Sequence, residues 1–407
     1  MKGINVSSRI YLESLIFWIL TPLLSLLVIL FNVYRKDKVS LLLFSLVIGA
    51  FSFVYIPLDN DDRVRHYERF YEISGLDSFS GFMDYLTNNN LPDSFVYGIM
   101  YLLSLFTNDP RSVFFVASTL TTYIFLLLYV KINKEIFSFS KWVFFMCFCL
   151  VIFSFNYTYL FSGLRFYVGA AFALLGWYYL CYCQKKFSGF LFLFLAVYSH
   201  FATSLVVVSF IILFFTLGKV NFRKVFYVSF FFTLIPSELL FQWISMLPLA
   251  GSYISKANDY LMYNDILSEA AQNAAIFKLI LLYKSLWVYF ILMFVYIYRK
   301  SDFKDKVLLN SFFVIISLRN VFSSSPTISQ YYDTIALFLS VLFMIKFYMF
   351  YINKLFHLFV FYVFGNFILD TYKYRYNFIE SNFKVENLTS ASLFGSDVEE
   401  PLKTTWK

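Results

Sequence analysis

The sequence predicts an all-α, polytopic integral membrane protein with about 12 transmembrane helices. Two observations point there. The 407 residues are 60% hydrophobic and 23% aromatic but only 14% charged, against roughly 25% charged in a soluble chain. Too little charge remains to cover a soluble surface, and the mean hydropathy of +0.68 agrees. The apolar residues also fall into successive runs of near membrane-spanning length, about 20 helical residues for a ~30 Å hydrocarbon core.

In chain order the expected spans are 15–34, 40–57, 112–130, 142–161, 164–183, 187–200, 203–218, 222–236, 277–298, 307–322, 333–350 and 354–372. The first follows Lys2 and Arg9. It has no small-residue cleavage site after it and reads as a retained span rather than a signal peptide. Phe95–Phe106 is apolar but too short, so it is expected as a re-entrant or interfacial helix. No internal repeat or Pro/Gly/Ser-rich linker divides the chain, so 1–407 reads as a single membrane domain. Its larger outer loops are about 58–111 and 237–276, and its C-terminal tail is 373–407.

Orientation follows from lysine and arginine in short loops. Arg35/Lys36/Lys38, Lys131/Lys134/Lys141, Lys185/Lys186, Lys219/Arg223/Lys224, Arg299/Lys300/Lys304/Lys306 and Lys346/Lys354 all fall on one side if Phe95–Phe106 does not span. That side is the cytoplasm, and the N-terminus faces outward. These loops hold 14 Lys and 3 Arg. The outer side before the tail instead carries Arg9, Arg63, Arg65, Arg69, Arg111, Arg165 and Arg319, against Lys2, Lys256 and Lys278. Lysine suffices as a topology signal, whereas the planar guanidinium suits carboxylate or phosphate. The asymmetry suggests an anionic group handled outside. The tail has five basic and five acidic residues, so its charge does not place it. Span counting puts it outside.

The cysteines, Cys147/Cys149 and Cys181/Cys183, fit neither zinc spacing nor a disulfide framework. No phosphate-loop, dinucleotide or zinc-protease motif occurs. No cofactor, metal or nucleic acid is expected.

Candidate chemistry collects at the outer edge. The first outer loop opens Asp59-Asn60-Asp61-Asp62-Arg63-Val64-Arg65-His66-Tyr67-Glu68-Arg69-Phe70-Tyr71. It is either a solvated loop held by its own ion pairs or a site where carboxylates hold sugar hydroxyls and arginines meet phosphate. Arg165, between two apolar spans with almost no loop, is a costly charge that lies in a cavity or by a partner, or snorkels to headgroups. His200 ends a short span and is either a proton acceptor or a polar cap. Arg319 precedes a polar turn. Lys284 interrupts the run 277–298 and marks either a cavity or a frayed helix start.

The order of these features resembles the Wzy/EpsG family of O-antigen, capsule and exopolysaccharide polymerases over roughly residues 10–335. Asp61/Asp62, Tyr67, Phe70 and Tyr71 match its first outer loop, and Pro92-Asp93-Ser94-Phe95-Val96-Tyr97-Gly98 a following acidic–apolar stretch. The most specific module is Gly163-Leu164-Arg165…Ala170-Ala171, then Gln184-Lys185-Lys186, then Leu195-Ala196…His200. The tyrosines of the second loop (Tyr253, Tyr260, Tyr263) and the late Arg319 also fit. Phe166 stands where the family often has Gln, and Ala202 where it often has Ser.

The resemblance implies a GT-C-like glycosyltransferase in the bacterial inner membrane. It would join oligosaccharide repeat units carried on undecaprenyl pyrophosphate at the periplasmic face, with membrane lipid around it and a chain-length regulator (co-polymerase) as partner. The expected catalytic residues are His200, Asp61, Asp62 and Asp93. Arg165, Arg319, Lys284, Arg63, Arg65 and Tyr67 are expected to bind substrate or its pyrophosphate. A flippase for lipid-linked oligosaccharides, and a GT-C transferase adding a single sugar, are the alternatives. A flippase usually shows two related halves, and none is visible.

Overall fold

A computed structural model describes residues 6–246, except 34–37, 60, 90, 92, 134–140, 218, 237, 238, 240, 241 and 244, and residues 303–402, except 324, 349–352, 374 and 383–388. The expected span 277–298 with Lys284, and Tyr253, Tyr260 and Tyr263, lie outside the described residues.

The elements among the described residues are all helices, apart from one isolated parallel bridge between Leu58 and Leu402. The elements are α1 (Val6–Leu20), α2 (Ser25–Val33), α3 (Lys38–Val54), α4 (Asp62–Ser74), α5 (Phe79–Asn88), α6 (Ser94–Ser104), α7 (Arg111–Ile132), α8 (Lys141–Phe153) and α9 (Tyr157–Ser162). They continue with α10 (Leu164–Trp177), running into a π-turn at Tyr178–Tyr182, then α11 (Lys186–Ser199), α12 (Thr203–Thr216) and α13 (Phe222–Ser229), followed by a 3₁₀ turn. In the second described stretch come α14 (Phe303–Val321), α15 (Pro326–Tyr348), α16 (Asn353–Lys373), α17 (Arg375–Asn382) and α18 (Ser390–Gly395).

Among the described residues, three helices are long and apolar enough to cross a membrane: Arg111–Ile132, Leu164–Tyr182 and Ile328–Lys346. Ile10–Leu20, Lys38–Val54, Trp142–Phe153, Lys186–Ser199, Thr203–Thr216 and Phe356–Tyr372 are shorter apolar helices. The protein is therefore membrane-embedded, but the described helices are not twelve uniform spans. Two expected spans are interrupted. The run 15–34 stops at Leu20 and resumes at Ser25, because Pro22 has no amide hydrogen to continue the ladder. The run 142–161 stops at Phe153, and Asn156 then starts α9 by accepting the amide of Tyr159 with its side chain, the usual role of an N-cap asparagine.

The helices pack on a core of close contacts. α3 lies along α7 and α10 along α11. Both pairs approach at glycine: a Cβ on Gly49 would sit 2.9 Å from the Phe115 carbonyl oxygen, and one on Gly189 would sit 2.9 Å from the Leu180 backbone. Small residues let membrane helices approach in this way. α14 and α15 form an antiparallel pair, with α13 against α14. α6, the segment expected not to span, packs on α4, α7 and α11, and Leu102, Leu105 and Phe106 at its end stay exposed.

The bundle has two chemically distinct ends. At one, Lys131 donates to Tyr179 Oη at 2.7 Å and Lys346 approaches Tyr182 Oη at 3.4 Å, both beside the π-turn. At the other end of α10 lie Arg165, His200 and α4. The tail returns to this second end. Leu402 donates its amide to the Pro57 carbonyl, Asn377 donates to the Ile56 carbonyl, and Arg111 grips the Ser396 and Asp397 carbonyls.

Candidate functional site

The site is assembled from three loop-proximal pieces. The first is the start of α4. Asp61 caps the helix by accepting the Arg63 amide at 3.1 Å, and its other carboxylate oxygen accepts from Ser162 Oγ at 2.8 Å. Burial raises the Asp61 carboxyl above its usual range, outweighing those two hydrogen bonds. Helical spacing then puts Asp62, His66 and Arg69 on one face, since residues four apart are neighbours. Asp62 Oδ1 lies 2.8 Å from Arg65 Nη2, and Oδ2 lies 3.3 Å from His66 Nε2.

The second piece is Arg165 in the first turn of α10. It bridges two carboxylates, with Nη1 2.8 Å from Asp93 Oδ2 and Nη2 3.5 Å from Asp62 Oδ2. Asp93, just before α6, is buried, and its Oδ1 accepts the Phe201 amide at 3.0 Å. The guanidinium thus joins α4, α6, α10 and the α11–α12 turn. Burial by itself would raise the Asp62 carboxyl. His66, Arg165 and Arg65 outweigh it and hold Asp62 well below the usual carboxylate range.

The third piece is the α11–α12 turn. His200 is 2% exposed, and its Nδ1 accepts the Ala202 amide at 3.1 Å. Burial, with Arg165 and His66 nearby, pushes its pKa down to about 4 against the pull of Asp93 and Asp62. A neutral imidazole whose Nδ1 accepts must carry its hydrogen on Nε2. In that state His200 has an N–H to offer at Nε2, while its Nδ1 is engaged by the turn's own backbone. Phe166 stacks on Tyr331 at 4.1 Å, and both rings face His200.

Of the remaining expected residues, Arg65 joins the cluster through Asp62, whereas Arg63, Tyr67 and Arg319 make their contacts elsewhere. Arg63 is fully buried and turned inward: Nη1 donates to the carbonyls of Ser52 and Phe161 at 2.8 and 3.0 Å, Nη2 to that of Phe53, and Nε to Tyr67 Oη at 2.6 Å. The rings of Tyr55, Tyr67 and Phe114 surround it. Arg63 and Tyr67 are thus committed to joining α3, α4 and α9. Arg319 Nε pairs with Asp333 at 3.2 Å, near Tyr331 in sequence, and both are partly exposed. Arg65 is 68% exposed.

Sequence reasoning missed two groups. His66 was visible only as one residue of a polar run, and Arg69, which donates to Tyr97 Oη, only as one of several outer arginines. Among the described residues, no group of three or more His, Cys, Asp or Glu is disposed to hold a metal ion.

Compared with known proteins, residues 41–383 match the family model described as "EpsG family". No curated protein and no solved structure matches the chain.

Proposed function

The chain belongs to the EpsG family, and from that premise we propose that it is a polysaccharide polymerase that joins undecaprenyl-pyrophosphate-linked oligosaccharide repeat units at the periplasmic face of the bacterial inner membrane. The observation that carries this reading is Arg165 held between Asp62 and Asp93 at one end of the bundle, beside His200. Glycosyl transfer from a diphosphate needs positive charge near the departing oxygens and an acceptor for the hydroxyl proton. This constellation offers both within one contact shell.

In the proposed reaction, a hydroxyl oxygen at the non-reducing end of the acceptor bonds to the anomeric carbon of the donor glycan. The bond from that carbon to the diphosphate oxygen breaks, and its electron pair leaves on undecaprenyl diphosphate. The hydroxyl proton passes to Asp62, the partly exposed carboxylate of the cluster at 29%, whereas Asp93 at 3% is committed to Arg165 and the Phe201 amide. Arg165 faces the leaving diphosphate, supported by the exposed Arg65 and by the partly exposed Arg319. His200, as a neutral donor, offers Nε2–H to a sugar or phosphate oxygen.

The test is the surface-glycan gel profile of cells lacking the gene, restored with wild type, R165A, R165K or D62N at matched membrane levels. The null strain is expected to show core plus one repeat unit, and wild type a polymer ladder. R165A should lower polymer formation by ~10²–10³, the usual effect of losing one preorganised charge contact. R165K should fail as well, because an ammonium cannot span two carboxylates in a plane. A null strain that lacks even the single-unit band would assign the protein to transport or earlier assembly. A single added sugar in place of a ladder would indicate a transferase.

A further inference from the structure

Asp62 has a neighbour that the proposed reaction leaves unused. His66 lies one helical turn further along α4 and is 2% exposed. Its Nε2 is 3.3 Å from Asp62 Oδ2, the same oxygen that faces Arg165. Neither ring nitrogen makes a well-aligned hydrogen bond within the protein. A buried imidazole without such partners is costly, so its placement calls for a reason. Phe114 of α7 packs against the ring at 6.2 Å and contributes no polar group.

We propose that His66 is a positioning residue for this reaction, its Nε2–H orienting the Asp62 carboxylate toward the acceptor hydroxyl. The proposal rests on the polymerase reading above. Three features support it. First, the ring is neutral near pH 7, because burial, with Arg165 and Arg69, lowers its pKa against the pull of Asp62. Second, the neutral ring's hydrogen belongs on Nε2, where it meets a carboxylate, since on Nδ1 it would be buried with no acceptor. Third, the 3.3 Å separation lies just outside the ordinary N–H···O range, so a shift of a few tenths of an ångström in the partly exposed carboxylate completes the bond. With Arg65 on Oδ1 and His66 and Arg165 on Oδ2, the carboxylate is oriented from three sides.

The groups facing this pair are Asp61, Arg65 and Arg69 at or on α4, Asp93 and Tyr97 of the α6 segment, Arg165 of α10, and His200 of the α11–α12 turn. Removing His66 takes away a donor that favours ionised Asp62. The Asp62 pKa then rises, and the acid limb of the rate profile moves to higher pH.

The experiment uses membrane vesicles from the gene-deletion strain, which contain that strain's own lipid-linked repeat units, with full-length wild type or variant restored. The initial rate of ladder formation is measured from pH 5 to 9. H66L is expected to lose roughly 10–100-fold, the value of one hydrogen bond to a charged group, and to shift the acid limb upward. H66Q, whose amide nitrogen reaches near the Nε2 position, should recover most of the rate, and H66N, whose amide is too short, should not. A wild-type rate and limb in H66L would overturn the proposal. So would a rate loss with an unmoved limb and no rescue by H66Q. If H66L fails to accumulate in the membrane, the comparison of H66Q with H66N decides. A wild type that forms no ladder would sink the polymerase reading itself, whereas a wild-type ladder with indifferent His66 variants would sink only this inference.

Discussion

Individual side chains at the site divide into those that keep some exposure, such as Arg65 and Asp62, and those consumed by the protein. Arg63 belongs to the second kind. Its guanidinium sits where α3 and α9 end, closed to solvent, and donates its hydrogens to the carbonyls of those helix ends. Helix C-termini carry partial negative charge, so the cation is doubly suited there. Arg63→Ala would strand these carbonyls and is expected to destabilise the protein by about 3 kcal/mol or more, at ~1–3 kcal/mol per unsatisfied buried group. A fall in melting temperature in detergent, with loss of both folded protein and activity, is the measurement. His200 sets a pH dependence whose sign is defined. An unfolded histidine takes its proton near pH 6.5, while folded His200 resists until about 4. Between those values the unfolded state binds more protons, so stability falls as pH drops from about 6.5 toward 4. The contribution at stake is on the order of 3 kcal/mol. Thermal melts from pH 7 to 4.5 should show a steeper acid decline in wild type than in H200Q; equal slopes would contradict it.

Helix pairs depend on positions where a side chain has no room. At Gly189 the α10 end and α11 are so close that any Cβ would meet Leu180 backbone and Cβ atoms, at 2.9 and 2.6 Å. Backbone cannot yield as a flexible side chain can, so the helices must separate. Gly189→Val is expected to cost about 1–3 kcal/mol through overpacking, read as a lower melting temperature and reduced membrane accumulation. The effect reaches the site, because α11 ends at His200 and α10 begins at Arg165. Pro22 illustrates the opposite control, in which one residue without an amide hydrogen splits an apolar run into α1 and α2.

The whole molecule presents arginine chemistry at one end and lysine–tyrosine contacts at the other, and the tail is fastened to the arginine end. Arg111 pairs with Asp109 and at the same time holds the Ser396 and Asp397 carbonyls, while Leu402 bridges to Leu58. This predicts a labelling pattern. Single cysteines replacing the exposed Asp77 and Glu400 should react with an impermeant thiol reagent from the same side of the membrane. One replacing the exposed Lys185 should react only from the other. Opposite labelling of Asp77→Cys and Glu400→Cys would refute the placement of the tail.

The membrane class, the apolar runs and the module from Gly163 to His200 were legible because composition, run length and short spacings are local properties of the chain. Arg165 stood out for the same reason: a charge between apolar runs is visible without any neighbour. Its partners were not. Asp93 lies 72 positions away in sequence, and nothing in the spacing ranked it or Asp62 above Asp61. Nor did any pattern show that Arg63 and Tyr67 turn inward, that His66 faces Asp62, or that the Ala202 amide occupies Nδ1 of His200. Those outcomes depend on which groups the packing of α4, α6, α10 and the α11–α12 turn brings within hydrogen-bonding distance. The sequence by itself determined which residues are costly to bury. The tertiary structure alone decided what compensates each one, because ion pairs and hydrogen bonds act through space over a few ångströms and are indifferent to separation along the chain.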